Sequence, residues 1–256
     1  MGNSKIEWTD KTWNPVTGCS RVSQGCAHCY AETMTKRLQG MGQSKYKDGF
    51  HVTLHPEALY EPGKTLKPAT FFVCSMSDLF HREVPFDFIS QVMVTIENNR
   101  QHTFQILTKR PQRMNEYFME GKRDVPWNAW LGTTVELPNY KWRIEELRDI
   151  DTESVRFLSC EPLLGDLGEL DLTGIDWVIV GGESGNQARP MQKDWVLNIM
   201  RQCKEQQVPF FFKQWGSWGE DGIKRSKKQN GHTISGKTYQ EWPNVWKGIE
   251  SGQHLC

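Results

Sequence analysis

The alternation of short apolar segments with longer segments of helical period is the feature that most constrains how this chain can fold. Several of the short segments are almost continuously apolar, which is typical of strands buried on both faces of a parallel sheet. The predicted strands are Phe71–Cys74, Thr103–Leu107, Trp130–Thr134, Val155–Ser159, Trp177–Val180 and Pro209–Phe212. One further short strand is predicted before Cys19.

Segments with helical period separate these strands. Strand and helix in alternation imply right-handed βαβ units, so the sequence predicts an α/β fold with a complete or partial (β/α) barrel of about six parallel strands. We interpret 40–68 as an insertion and 219–256 as a C-terminal loop extension of a single domain, 1–256. The predicted helices are Tyr30–Leu38, Phe86–Asn98, Pro111–Met119, Lys141–Ile150 and Trp195–Gln206.

Length and charge composition restrict the class of protein to which this fold can belong. A length of 256 residues suits one α/β barrel, and 31 Lys and Arg residues balance 31 Asp and Glu residues. This balance excludes a long-range basic field, although a local nucleic-acid-binding patch stays open. The first ten residues are polar, and no uncharged apolar run approaches the ~20 residues that span a bilayer. We therefore expect a soluble, cytoplasmic protein with no membrane partner.

The cysteines are unevenly distributed, which argues against a disulfide scaffold. Of seven cysteines, Cys19, Cys26 and Cys29 fall within eleven residues. Gly18 and Gly25 each precede one of them, and glycine lets the backbone fold tightly around a ligand. The predicted helix after the third cysteine would stabilise anionic thiolates through its N-terminal N–H groups. We predict that these three cysteines are metal ligands.

A set of three thiolates is informative, because structural zinc sites and electron-transfer clusters normally take four protein ligands. Three cysteines leave one iron of a [4Fe–4S] cluster open to the amine and carboxylate of S-adenosyl-L-methionine (SAM). Reductive cleavage of the sulfonium then yields a 5′-deoxyadenosyl radical. The alternatives are a zinc site with His28, Cys74 or Cys160 as fourth ligand, or three cysteines without a metal.

At these residues the chain resembles the radical SAM superfamily. The superfamily's loop usually has three residues between its first two cysteines and two between the second and third; here the gaps are six and two, and His28 takes the place of the usual aromatic-type residue. The chain is also similar to a phage-associated three-cysteine branch (phage gp thirty-seven/gp sixty-eight-like). That similarity rests on the run Trp-Asn-Pro-Val-Thr-Gly-Cys at 13–19 and the Cys-Tyr-Ala-Glu junction at 29–32.

The resemblance also implies cofactor-binding residues. In the superfamily, the loop after the second strand holds the amino group of SAM, which points to Ser75, Ser77 and Asp78, although the usual Gly-Gly-Glu is absent there. Tyr30, within the junction, is a further candidate. Alternatively, Ser77 or Asp78 caps the following turn.

Polar residues also follow the later strands, and chemistry gathers at the carboxyl ends of strands in parallel barrels. Lys109 or Arg110 is predicted to pair with the carboxylate of SAM or a substrate phosphate, or else to be a solvated charge. Glu136 and Glu161 end successive strands and would face one cavity, where they would bind ribose hydroxyls or a substrate amine.

The last two predicted strands end in a glycine-rich turn and a polar cluster. Gly181, Gly182 and Glu183 permit close backbone approach to the adenosine half of SAM, or serve a tight turn only. Lys213 and Gln214 follow three phenylalanines, which indicates a buried strand opening into a polar pocket. With Glu161, they are the candidate catalytic residues.

The leading hypothesis is a radical SAM enzyme that modifies or isomerises a nucleobase, a nucleotide or a phage DNA base such as a hypermodified thymidine, with flavodoxin or ferredoxin as reductant. Trp215 is available for stacking, and Trp127, Trp130 or Trp218 would hold a flipped base. One alternative is a photoproduct-lyase-like DNA repair enzyme. Others are a non-catalytic zinc or iron–sulfur protein that binds nucleic acid or a partner, and a nucleotide-binding protein centred on Gly181–Gly185.

Overall fold

The structure is a computed structural model that describes residue 4 and residues 6–244. The described residues form two compact units, one of residues 4, 6–134 and 143–154 and the other of residues 135–142 and 155–244. Within the described residues, no helix combines the length and apolarity needed to cross a bilayer.

The first unit carries four parallel strands and a small antiparallel pair. Its strands are β1 (Lys11–Trp13), β2 (Val16–Thr17), β3 (Thr53–Leu54), β4 (Thr70–Val73), β5 (Thr103–Thr108) and β6 (Ala129–Thr134). β1, β4, β5 and β6 pair in parallel in that order, and β2 pairs antiparallel with β3. Its helices are α1 (Tyr30–Gly40), α2 (Phe86–Asn98), α3 (Pro111–Asn115) and all but the first residue of α4 (Trp142–Arg148). The predicted insertion contains β3 and 3₁₀ turns at Ser44–Tyr46, Pro56–Tyr60 and Pro62–Lys64.

Up to residue 244, the second unit carries three parallel strands, two helices and a hairpin. The strands β7 (Arg156–Cys160), β8 (Trp177–Gly181) and β9 (Phe210–Gln214) pair in parallel. The helix α5 (Lys193–Glu205) precedes β9, and the short α6 (Lys227–Asn230) precedes the hairpin of β10 (Thr233–Ile234) and β11 (Lys237–Thr238).

The seven parallel strands follow the order β1-β4-β5-β6-β7-β8-β9. The fold is an α/β partial barrel, as predicted. Each of the six predicted strands is present, and β1 is the predicted short strand before Cys19. Every residue of β6 and of β8 is buried, as expected for strands covered on both faces.

Packing explains where the helices lie and where one of them ends early. α2 has the predicted bounds; it begins after Pro85, whose extended backbone opens the helix, and buries Phe88, Ile89, Val92, Met93 and Ile96. The helix predicted over Pro111–Met119 is shorter, since α3 ends at Asn115 and the chain continues as a π-helical turn, Glu116–Glu120. This turn buries Tyr117 and Phe118.

A segment of the predicted C-terminal extension lies along β9, the last strand of the sheet. The N–H of Phe212 donates to the carbonyl of Tyr239 at 2.7 Å, and the N–H of Glu241 donates to the carbonyl of Phe210 at 3.1 Å. The ring of Trp242 stacks on Trp177 with centroids 4.9 Å apart. We call residues 239–242 the edge segment. The sequence predicts a loop here. The last part of the predicted extension, 245–256, lies outside the described residues.

Candidate functional site

The loop that carries the three cysteines belongs to the first unit and starts at a strained position. Gly18 has φ +81°, and a Cβ atom there would lie 2.0 Å from the carbonyl oxygen of His51. Its N–H donates to the carbonyl of Met76 at 3.1 Å, and the N–H of Cys19 donates to the carbonyl of Phe50 at 3.2 Å. The glycine is therefore required by close packing of two backbone segments, a reason that the sequence alone did not reveal.

The second and third cysteines lie at the entrance to α1. Cys26 ends the 3₁₀ turn Gln24–Cys26, and Cys29 occupies the N-cap position of the 11-residue helix α1. All three cysteines are free and only partly buried. The positive end of the α1 dipole therefore lies beside Cys29, where it favours an anionic ligand set.

The first two thiols differ in acidity. Burial raises the pKa of Cys26, but the positive charge of Lys109 and hydrogen bonds to Ser23 outweigh it, so that this pKa is lowered overall. Burial and the Asp78 carboxylate raise the pKa of Cys19 to about 11, against the opposing effect of Arg110. Burial therefore favours the protonated thiol of Cys19 over its thiolate.

The donor chemistry of the loop fits an iron–sulfur cluster, because thiolate sulfur is the ligand that such clusters take. In the stretch from residue 6 to 244, and at residue 4, no group of three or more His, Cys, Asp or Glu side chains is arranged to hold a metal ion. Cys74, an alternative fourth ligand, is buried, and burial raises the pKa of its thiol to about 12.

Asp78 lies under the cysteine loop, and four protein donors surround its carboxylate. Oδ1 accepts from the Thr108 hydroxyl at 2.7 Å and from the N–H of Phe80 at 3.0 Å. Oδ2 accepts from the Arg110 guanidinium at 2.8 Å and from the N–H of Lys109 at 3.1 Å. A carboxylate offers about four acceptor positions, so hydrogen bonds from the protein itself occupy all of them. The contact with Phe80 matches the alternative in which Asp78 caps the following turn.

The other residues that the resemblance assigns to SAM also lie in the first unit. The Ser77 hydroxyl donates to the carbonyl of Val16 at 2.8 Å, and the Ser75 hydroxyl donates to Oδ1 of Asn14 at 3.2 Å. Tyr30 is 65% exposed at the start of α1. The structure therefore gathers Tyr30, both serines, Asp78 and Lys109 in the same unit as the cysteines.

The second unit carries an ion pair at the carboxyl ends of its strands. Nζ of Lys213 lies 2.7 Å from Oε1 of Glu161, and the two side chains are 13% and 18% exposed. A Cβ atom on Gly181 would lie 3.1 Å from the Glu161 carboxylate, so the glycine leaves room for that side chain. The pair brings two of the predicted catalytic residues together.

The glycine-rich turn after β8 is occupied by contacts within the second unit. Glu183 is buried, and its carboxylate accepts from the Arg189 guanidinium at 2.6 and 3.0 Å and from the Arg189 N–H at 2.8 Å. A Cβ atom on Gly182 would lie 2.0 Å from the carbonyl oxygen of Trp215. These contacts match the alternative in which the turn has a packing role. Gln214 and Glu136 are also buried in this unit, and Oε1 of Gln214 has no hydrogen-bond partner among the residues that the structure describes.

The tryptophans proposed to stack on a base differ in exposure. Trp130 is 3% exposed in β6, and Trp215 is 1% exposed with its indole N–H donating to the carbonyl of Thr233 at 2.7 Å. The stacking role predicted for these two is therefore wrong, because their rings fill the core. The indole N–H of Trp218 donates to the carbonyl of Ala188 at 2.6 Å, whereas Trp127 is 56% exposed.

Sequence reasoning missed the contacts that join the cysteine loop to the strand ends. Arg110 donates to Sγ of Cys19 at 3.5 Å and to the carbonyl of Ser20 at 2.9 Å. The Ser20 hydroxyl lies 2.7 Å from Nε2 of His81. The only signal was the cluster of polar residues after β5, which did not reveal these partners.

Comparisons with known proteins give a family and a fold. A family model described as a protein of unknown function (DUF5131) matches residues 3–243. No curated protein matches the chain. Among solved structures, a cysteine-to-serine mutant of spore photoproduct lyase is similar, with a TM-score of 0.50 and 12% identity over 98% of this chain and 73% of that chain. At this identity the likeness concerns the fold alone.

Two further structures of spore photoproduct lyase are more distant. One, complexed with dinucleoside spore photoproduct, has a TM-score of 0.46 and 10% identity and covers 74% of this chain. The other, a double mutant with bound AdoMet and dinucleoside spore photoproduct, has a TM-score of 0.44 and 11% identity and covers 76%. The chain spans 59% and 61% of the length of these two proteins.

Proposed function

We propose that this chain, which belongs to the DUF5131 family, is a radical SAM enzyme whose [4Fe–4S] cluster is held by Cys19, Cys26 and Cys29. The observation that carries the proposal is the trio of free, partly buried cysteines in one loop at the N-terminus of a helix, within an α/β partial barrel. When bound, the cluster supplies the electron for reductive cleavage of SAM.

Residues of the first unit orient the cofactors in this proposal. The hydroxyls of Ser75 and Ser77 and the phenol of Tyr30 bind SAM, and Lys109 supplies positive charge beside Cys26. Asp78 acts indirectly, because its acceptor positions are filled by protein donors.

In this proposal, residues of the second unit transfer protons and bind the substrate. Lys213 holds a proton at Nζ toward Oε1 of Glu161, so that the pair can deliver or take up a proton. The amide of Gln214 is a hydrogen-bonding group for the substrate. Glu136, Gly181, Gly182 and Glu183 are proposed to shape the adenosine-binding surface.

The finer part of the proposal concerns the substrate. A nucleobase, a nucleotide or a phage DNA base such as a hypermodified thymidine is proposed, on the resemblance to the phage-associated branch. A DNA photoproduct is the second substrate to test. Flavodoxin or ferredoxin is the proposed reductant.

Anaerobic purification tests the cofactor part. The wild-type chain is expected to hold about four irons and, once reduced with dithionite, to convert SAM to 5′-deoxyadenosine. Cys19→Ala, Cys26→Ala and Cys29→Ala should each abolish this conversion. Cys203→Ala is the matched control, because Cys203 is buried on α5 in the second unit. Stoichiometric zinc without SAM cleavage would overturn the proposal.

A further inference from the structure

Arg110 occupies an unusual position between a buried anion and a cysteine. Its guanidinium lies 2.8 Å from Oδ2 of Asp78, and the two side chains are 13% and 8% exposed. Both partners are nearly excluded from water, so this ion pair is poorly screened and its geometry is tightly held. Arg110 is therefore much less mobile than an arginine at the protein surface.

The same guanidinium also reaches the cysteine loop, in part through the NH1 nitrogen that bonds Asp78. NH1 donates to Sγ of Cys19 at 3.5 Å, and NH2 donates to the carbonyl and the hydroxyl of Ser20 at 2.9 and 3.1 Å. The planar fork of arginine makes these bonds together, which the single ammonium of lysine cannot do. One side chain thus joins a buried carboxylate to the first cysteine of the loop.

The anchor is itself fixed by the ends of two parallel strands. Asp78 follows β4, and its donors Thr108 and Lys109 end and follow β5. The backbone N–H of Arg110 donates to the Thr108 hydroxyl at 2.9 Å, which fixes the start of the arginine side chain as well. The position of Cys19 is therefore fixed relative to the parallel sheet, although Cys19 lies in a loop.

We propose that Arg110, anchored by Asp78, is a positioning residue for Cys19: it holds the sulfur and donates a hydrogen bond to its thiolate when a metal is bound. The inference rests on the proposed function and deepens it. Hydrogen bonds to ligating sulfurs and nearby positive charge stabilise the reduced, more negative state of an iron–sulfur cluster. Arg110 therefore raises the midpoint potential of the cluster.

The test compares Arg110→Gln and Arg110→Lys with the wild-type chain after anaerobic iron–sulfur reconstitution. Arg110→Gln should lose iron and shift the midpoint potential, measured by potentiometric titration with EPR, to a more negative value. Arg110→Lys keeps the charge and should recover part of the shift. The control is Arg82→Gln, since the Arg82 side chain is 84% exposed. Equal iron content and potential in all four proteins would overturn the inference.

A titration with cobalt(II) distinguishes failure of this inference from failure of the proposed function. The metal-free full chain is titrated with Co²⁺, and binding is followed by the sulfur-to-cobalt charge-transfer bands. Loss of a hydrogen bond that supports a metal ligand commonly lowers the affinity for the metal about 10- to 100-fold, and we expect this loss of Co²⁺ affinity for Arg110→Gln. If the wild type takes up no iron while Co²⁺ binding depends on Arg110, the proposed function fails and the positioning role stands. If the wild type loads iron and Arg110→Gln matches it, only the positioning role fails.

The folded state of the variants is checked independently. Removing one partner of a buried ion pair is destabilising, so far-UV circular dichroism and urea unfolding accompany each titration. If Arg110→Gln fails to fold, Ser20→Gly replaces it, because it removes one acceptor of the guanidinium and leaves the ion pair with Asp78 in place. Unchanged potential and cobalt affinity in folded Ser20→Gly and Arg110→Lys would also overturn the inference.

Discussion

The ion pair of Glu161 and Lys213 contributes to stability as well as to the proposed chemistry. Both side chains are mostly buried, so removing one partner breaks the pair and leaves the other charge in a poorly hydrated place. We expect Glu161→Gln or Lys213→Met to lower the free energy of unfolding by about 3 kcal/mol each, and the double variant to lose less than the sum.

Urea unfolding measures this double-mutant cycle. The exposed pair of Arg201 and Glu205, whose side chains are 55% and 57% exposed, is the matched control. Its removal should change the free energy of unfolding by less than about 1 kcal/mol. Strictly additive effects at Glu161 and Lys213 would show that the two residues do not interact.

The buried imidazole of His102 predicts a loss of stability in acid. Nδ1 accepts the N–H of Ala69 at 3.2 Å, so the proton lies on Nε2, 3.0 Å from the carbonyl of Thr65. Burial lowers the pKa of His102 below the ordinary 6.5. Unfolded chains therefore bind a proton that folded chains reject, and stability present above pH 6.5 is lost as the pH falls.

Urea unfolding at pH 7.5 and 5.5 tests this direction. His102 contributes at most about 1.4 kcal/mol per pH unit, so His102→Gln should flatten the pH dependence by a part of that amount. His232→Gln is the control, because His232 is exposed. An unchanged slope in His102→Gln would show that this imidazole titrates alike in both states.

Residue-scale contacts were the least predictable part of the site. The cysteine trio stands out in the sequence, because three cysteines in eleven residues are visible without a structure. The bond from Arg110 to Cys19 is not visible, since it joins residues 91 positions apart. Trp130 and Trp215 were misjudged for a related reason: composition does not reveal which tryptophans fill the core.

At the scale of elements, the turn after β8 depends on a glycine. Gly182→Ala would place a Cβ atom 2.0 Å from the Trp215 carbonyl oxygen, where only a backbone shift relieves the clash. We expect a loss of about 2 kcal/mol in the free energy of unfolding. Gly40→Ala, at the end of α1 with no atom near its Cβ position, should be neutral or slightly stabilising.

Thermal and urea unfolding of the two alanine variants provide the measurement. Equal stability of Gly182→Ala and the wild type would mean that the turn adapts at little cost. SAM binding by a folded Gly182→Ala variant separates the packing role of this glycine from the cofactor role proposed for it.

Element positions were predictable where the apolar pattern was strong. The strands begin or end within one or two residues of their predicted bounds, since buried parallel strands are apolar on both faces. α3 was predicted too long, because the apolar residues of Glu116–Glu120 continue the pattern although the backbone widens into a π turn. The edge segment was missed because it carries no apolar alternation.

At the scale of the whole molecule, the edge segment protects the last strand of the sheet. Unpaired strand edges invite other chains, and residues 239–242 fill this position along β9. Trp242→Ala removes the ring stacked on Trp177 and should lower the free energy of unfolding by about 2 kcal/mol while increasing aggregation on mild heating.

Light scattering during a thermal ramp and urea unfolding measure both effects. Trp127→Ala is the control, because Trp127 is 56% exposed. A Trp242→Ala variant that unfolds at the wild-type urea concentration and scatters no more light would show that β9 needs no cover from this ring.

The way Asp78 is held has a consequence for how such a protein matures in the cell. All four of its donors come from the chain itself, from the end of β5 and from the segments that follow β4 and β5, so the support for Cys19 forms with the first unit. If Cys19 holds the proposed cluster, folding and iron delivery are then separate events. A ribosome can release a finished, stable scaffold, and a cluster-assembly system can supply iron and sulfide afterwards, whenever they are at hand.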